Sequence, residues 1–133
     1  MTKLVLTLPV TRWERPDHGV TLRCDMIYDM SDPLVVTMSS GDAGVLMERR
    51  VLARDLLSDG LNIRTRAGDV ELWPLFEQEG EPDLVCLRHG GGTAVSEIPA
   101  EPLQRWLEAT YALVPPGAEL DDADWHRLLQ LAE

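Results

Sequence analysis

Alternation with a period of two constrains this chain most. In "GVTLRCDMIYD", Val20, Leu22, Cys24, Met26 and Tyr28 share one face, and Thr21, Arg23 and Asp25 take the other until Ile27. Successive side chains of an extended segment point to opposite faces, so this spacing predicts a strand with one dry and one wet face. "KLVLTLPV", "LVVTMSS" and "VLMERRV" have strand composition as well. Between them "SDP", closed by Pro33, is a turn, and "GDAG" has hairpin chemistry.

The period then breaks once. In "VLARDLLSDGL", Leu52, Leu56 and Leu57 stand at helical spacing, and Gly60 follows as a helix stop. Strand signals return in "LNIRT", "VELWPLF", "LVCLR" and "TAVSEI", separated by the turn "RAGD", the loop "EQEGEPD" and the glycine hairpin "HGGG". The expectation is four strands, a short helix and four more strands. From about Pro102 an amphipathic helix carries Leu103, Trp106, Leu107, Thr110 and Val114 on one stripe, and "VPPG" ends it. A last helix is expected from about Asp121, with Trp125, Leu128, Leu129 and Ala132 on one face. Asp121, Asp122 and Asp124 would then meet the positive end of its dipole.

The length, 133 residues, suits a single domain over residues 1–133. Twelve basic against 23 acidic residues give a formal charge of −11. That balance opposes non-specific binding to nucleic acid or anionic lipid, both of which need a basic footprint. Cys24 and Cys86 lie inside apolar runs, as expected of buried free thiols. The N-terminus lacks the small-residue cleavage site of a signal peptide, and no apolar run is long enough to span a membrane. A soluble, cytoplasmic protein is expected.

Candidate chemistry is thin. "DDADWH" could hold a divalent metal with His126, but charge complementarity at a helix start explains the same residues. "HGGGT" could cradle an anion through backbone amides, yet it lacks the Lys and Ser/Thr of a phosphate loop. Asp29 and Asp32 read as turn formers rather than a carboxylate pair. Trp106 and Trp125 sit on apolar helix faces rather than on a base-stacking platform. Arg54 and Asp55 are adjacent on a helix and so do not face each other; each is expected to pair elsewhere. No metal, cofactor or catalytic residue is assigned.

Five segments in order carry a resemblance. They are "YDMSDP" with Tyr28, Asp29, Asp32 and Pro33; "ARDLLSDGL" with Ala53, Arg54, Asp55, Leu56, Leu57, Gly60 and Leu61; "GDVELWP" with Gly68, Asp69, Val70, Trp73 and Pro74; "EIPAEPLQRWLEAT" with Glu97, Pro99 and Thr110; and "VPPGAE" with Pro115, Pro116 and Gly117. Together they resemble the SsgA-like sporulation and cell-division proteins of actinomycetes, with the SsgB type the nearest branch. The resemblance runs from about Val20 to Glu119.

That likeness implies an α+β, whirly-like fold of two four-stranded antiparallel sheets, each followed by helix, with a further C-terminal helix. It also implies a homo-oligomer, with a trimer as the expected form. The implied function is non-enzymatic: an adaptor that helps select septum sites and recruits the tubulin-like division GTPase, in company with SsgA-like paralogues, at division septa. The alternative is a whirly-like module binding single-stranded nucleic acid, which the charge opposes. An enzyme of unknown type rests on no residue constellation.

The chain departs from its relatives in three places. Arg50 and Leu52 stand where aromatic residues usually precede the "ARD" motif. "RHGGGT" replaces an "SPxG"-like turn, and Ala109 replaces a basic residue. The expected partner surface is therefore Arg49 and Arg50, the hairpin tip of His89, Gly90, Gly91 and Gly92, and the acidic C-terminal helix with Asp121, Asp122 and Asp124. From Glu101 onward seven acids (Glu101, Glu108, Glu119, Asp121, Asp122, Asp124, Glu133) face two bases (Arg105, Arg127), so a partner there would present Lys or Arg.

Overall fold

A computed structural model describes residues 2–77, 79–90, 92–120, 124 and 130. The first four strands are β1 (Lys3–Arg15), β2 (His18–Asp29), β3 (Val35–Asp42) and β4 (Val45–Ala53). Helix α1 (Arg54–Gly60) follows, then β5 (Thr65–Ala67), β6 (Val70–Leu75), β7 (Leu84–His89), β8 (Val95–Pro99) and α2 (Ala100–Leu113). The expected last helix, with Asp121, Asp122, Trp125, His126, Leu128, Leu129 and Ala132, lies outside the described residues; Asp124 and Gln130 are described, both as helical. Among the described residues no helix is long and apolar enough to cross a membrane.

The strands form one antiparallel sheet, ordered β4-β3-β2-β1-β8-β7-β6-β5. This corrects the expectation of two separate four-stranded sheets. The cause is β1, which runs past Val10, where the eight-residue strand was expected to end. It continues to Arg15, and Thr11, Arg12 and Trp13 pair with Glu97, Ser96 and Val95 of β8. Before that join no strand among the described residues lies beside β1 on the β8 side, and a residue without an N–H, Pro9, is tolerated at such an edge. The sheet is also strongly curled. Arg12 of β1 donates to Glu48 of β4 at 2.7 Å across two intervening strands, although three strand spacings in a flat sheet span about 14 Å.

The alternation in β2 packs as its pattern dictates. Leu22, Cys24, Met26 and Tyr28 are buried, while Val20 at the far end stays exposed. The concave face is filled by α1 and α2, whose Leu56, Leu57, Leu103, Trp106 and Leu107 meet Leu8, Val10, Val36, Leu72, Val85 and Ile98 in one core. Burial of a side chain such as Leu57 contributes about 2 kcal/mol. Cys24 and Cys86 are free and buried, and burial pushes their thiols up to about 12 and about 11.

Two glycines fix local geometry by lacking a side chain. Gly60 is the last residue of α1, the helix stop that the sequence predicts, and Leu61 behind it is right-handed, so no left-handed turn is needed. A Cβ on Gly60 would stand 2.8 Å from the Cβ of Leu72, so α1 touches β6 through bare backbone. In β4 the ladder slips between Ser40 and Gly41, leaving Met47 unpaired in a bulge. A Cβ on Gly41 would meet the Val45 carbonyl oxygen at 2.1 Å. The strand expected at "LNIRT" starts only at Thr65, because Asn62 and Ile63 return their N–H groups to the Asp59 carbonyl and close the helix instead.

Gly60→Ala weighs two effects. Alanine gains about 1 kcal/mol of helix propensity, but overpacking against the root of Leu72 costs about 1–3 kcal/mol. The expected outcome is a net loss of up to about 2 kcal/mol in urea unfolding. A raised midpoint would remove the close-contact account of α1.

Candidate interaction surfaces

Four of the five signature segments converge on one buried side chain. Arg54 is 1% exposed, and a buried cation costs several kcal/mol unless it is paired and hydrogen-bonded; its two terminal nitrogens are so held, while Nε has no hydrogen-bond partner among the described residues. Its guanidinium carbon lies 4.9 Å from the ring centroid of Tyr28 and 4.1 Å from that of Tyr111. Nη1 donates to the Thr110 carbonyl at 3.0 Å, and Nη2 donates to Glu119 at 3.2 Å. Helix α2 carries no basic residue in its last turn. Arg54, reaching over from α1, therefore supplies the positive charge that a helix C-terminus favours.

Each segment prepares this contact in its own way. The Tyr28 hydroxyl donates to the Pro33 carbonyl at 3.0 Å, and the Leu34 carbonyl accepts the Arg54 N–H at 2.9 Å. Asp29 accepts from both the backbone N–H and the hydroxyl of Ser31, at 2.9 and 2.7 Å. Asp32 closes the turn through its backbone. The Thr110 hydroxyl donates to the Leu107 carbonyl at 2.7 Å. After Pro115 and Pro116, Gly117 at φ 85° and the bond from the Ala118 N–H to the Pro115 carbonyl turn the chain so that Glu119 returns to Arg54. Asp55 meets its neighbour only indirectly: it accepts the Tyr111 hydroxyl at 2.6 Å while Arg54 stacks on that ring.

Titration behaviour follows from these contacts. Burial raises the Tyr28 phenol above its ordinary value, with the Arg54 charge pulling the other way. Burial, then the bond to Asp55, raises the Tyr111 phenol. Both therefore remain protonated donors at neutral pH. The Ser31 N–H and then its hydroxyl hold the Asp29 carboxyl below its usual range. Its contribution to the turn is thus present above the ordinary carboxylate pKa and is lost as pH falls through the lowered one. The arrangement binds two helices to a sheet and offers no exposed reactive group.

The other signature residues shape the far half of the sheet. Gly68, at φ 59°, and Asp69 form the two-residue turn between β5 and β6. Trp73 lies between Arg64 and Arg88, at 4.9 and 5.5 Å, and both arginines bond Glu71. Pro74 falls beyond the three-residue reach of β5, on an open edge. Glu97 accepts the indole N–H of Trp13 beside the β1–β8 join. Pro99 precedes α2 as its N-cap residue.

The expected partner-surface residues separate into two faces. Arg49 is exposed on the outer face of β4. Arg50 points into the trough, where it pairs with Glu48, and there it lines one cleft with His89, Gly92, Arg12 and Ser96. His89 pairs with Asp69 at 3.0 Å, and the Gly90 N–H bonds the Asp69 carbonyl, so this loop is tied to the β5–β6 turn. Gly91, Asp121 and Asp122 lie outside the described residues, and Asp124 is half-buried. Sequence reasoning missed Arg12 and Glu48, although even positions on β1 already mark the concave face through Leu8 and Val10. It also missed Val45, Leu46 and Met47, exposed by 65%, 63% and 60%. Three consecutive apolar residues beside a turn break the alternation and could have signalled exposure.

A family profile described as "Streptomyces sporulation and cell division protein, SsgA" matches residues 22–119. The chain belongs to the SsgA family. SsgB of Streptomyces coelicolor, a sporulation-specific cell division protein, is 37% identical over 92 residues, 69% of this chain and 67% of its own. SsgB of Saccharopolyspora erythraea is 36% identical over 114 residues, 79% and 77% of the two chains. A solved structure reported as "Mutations in SsgB correlate to longitudinal cell division during sporulation of Streptomyces coelicolor" superposes with a TM-score of 0.78 at 32% identity, covering 89% of this chain and 94% of the other. An SsgA-like protein of Thermobifida fusca superposes with a TM-score of 0.83 at 24% identity over 99% and 96%, a likeness of fold. The SsgA-family match contains every residue named around Arg54, from Tyr28 to Glu119.

A double-mutant cycle tests whether Arg54 and Glu119 form one unit. Removing one partner of a buried pair costs about 3–5 kcal/mol. Arg54→Met and Glu119→Gln should each destabilise strongly, and the pair should couple by about 0.5–3 kcal/mol in urea unfolding. Additive losses would show that the two groups do not depend on each other.

Proposed function

We propose that this SsgA-family chain is a non-enzymatic adaptor of sporulation-specific cell division, helping to select septum sites and recruiting the tubulin-like division protein to them. The observation that carries the reading is the family match over residues 22–119, taken with the use those residues are put to. The motif side chains build a scaffold around Arg54, which leaves function to surfaces. The relatives named above are sporulation-specific cell division proteins. The test is a deletion strain carrying a fluorescently tagged division GTPase. Loss of regular septal ladders, restored by the intact gene, is expected. Normal ladders and spores in a strain with no remaining relative would overturn the reading.

Binding to single-stranded nucleic acid has little support. Besides the charge of −11, several basic residues of the sheet already hold carboxylates: Arg12 bonds Glu14 and Glu48, Arg50 bonds Glu48, and Arg64 and Arg88 bond Glu71. Phosphate-driven affinity needs uncompensated cations. Only weak binding to single-stranded DNA is expected in anisotropy titrations near ~50 mM salt. Tight, salt-sensitive binding there would favour the nucleic-acid module instead.

A further inference from the structure

The two edges of the sheet are finished differently. β5 is three residues long and lies against α1. β4 is nine residues long, and among the described residues no strand pairs with it on the side away from β3. Such an edge presents a row of unpaired N–H and C=O groups, and proteins usually blunt it with short strands, lysine, proline, inward charges or bulges. The bulge at Met47 distorts only the beginning of β4; residues 48–53 pair regularly with β3. The inward charges of this stretch, Glu48 and Arg50, are already paired with each other. Its outer face carries Val51, 60% exposed, and Arg49, with Leu46 and Met47 continuing the apolar surface past the bulge. Arg49 has no ion-pair partner among the described residues, in a chain with 23 acids.

We propose that β4 accepts an extended segment of a partner protein as an added strand, with a carboxylate opposite Arg49 and apolar side chains at the alternate positions flanking it. Main-chain bonds along residues 48–53 would give the affinity, and the face of Val51, Arg49 and Met47 would give the choice of sequence. A second copy of the chain fits less well: self-pairing centred on Arg49 sets that arginine against itself, and like charges directly opposed destabilise a sheet. This inference rests on the adaptor reading and names the strand through which it acts.

The test uses the full chain, isotopically labelled, and two capped synthetic peptides. One reads threonine–valine–threonine–aspartate–threonine–valine–threonine; the other has lysine for aspartate. The aspartate peptide is expected to shift the amide signals of residues 48–53 saturably, and to bind roughly fivefold more tightly than the lysine peptide. Arg49→Glu, at an exposed position, should invert that order. Equal affinities, signals that move elsewhere, or no saturable shift would overturn the proposal. So would concentration-dependent shifts of the same amides without peptide, which would mean that a second copy holds the edge. Normal septation in the deletion strain would defeat the adaptor reading without changing these titrations, and failed titrations would leave a septation defect unexplained by β4 but real.

Discussion

A guanidinium inside a protein demands partners, and Arg54 draws them from three separate stretches of chain. Tyr28 comes from β2, Thr110 and Tyr111 from α2, and Glu119 from the turn beyond it. The hydrophobic core could be assembled from many apolar sequences of similar volume. The Arg54 contact is far less forgiving, because a lysine offers neither the planar stack nor the forked donors. It caps the end of α2 through the Thr110 carbonyl and receives Glu119 where residues 115–119 turn back.

The curl of the sheet is the second constraint. One end of the trough is closed by the helices; the other is lined by Arg12, Glu48, Arg50 and His89. The expected partner residue Arg50 is far in sequence from His89 and Gly92, and the curl brings them to one cleft, while Arg49 is left on the outside of the same strand. Adjacent residues of β4 thus belong to different surfaces, one internal and charge-neutralised, the other open to solvent.

Much of this was legible in the sequence, for identifiable reasons. Period-two alternation located β2, the change of period located α1, and the stripe from Leu103 to Thr110 located α2. The ordered segments named the family, and Arg54–Asp55 were rightly seen not to face each other. What alternation cannot show is which strands become neighbours. The three residue pairs that join β1 to β8 made one sheet of an expected two, and those residues, "TRW", have no pattern that announces it. Gly60 was legible as the end of α1, but its close approach to Leu72, which is why that place takes a glycine, was not. The Arg54 partners were hidden for a similar reason: Glu119 is 65 residues away, and only tertiary structure reveals that "VPPGAE" is a return path.

The join at Thr11 and Glu97 also sets a schedule. Those paired residues are 86 positions apart, and non-local pairing of this kind delays folding. As the chain emerges during synthesis, β1 to β4 can zip as consecutive hairpins from local contacts alone. β1 must then hold its second edge open until β8 has been made, and Arg54 must wait longer still for α2 and Glu119. The nascent protein therefore spends its early life as half a sheet with a naked flank and an unmatched cation, a state that a chaperone or a neighbouring nascent chain is well placed to meet.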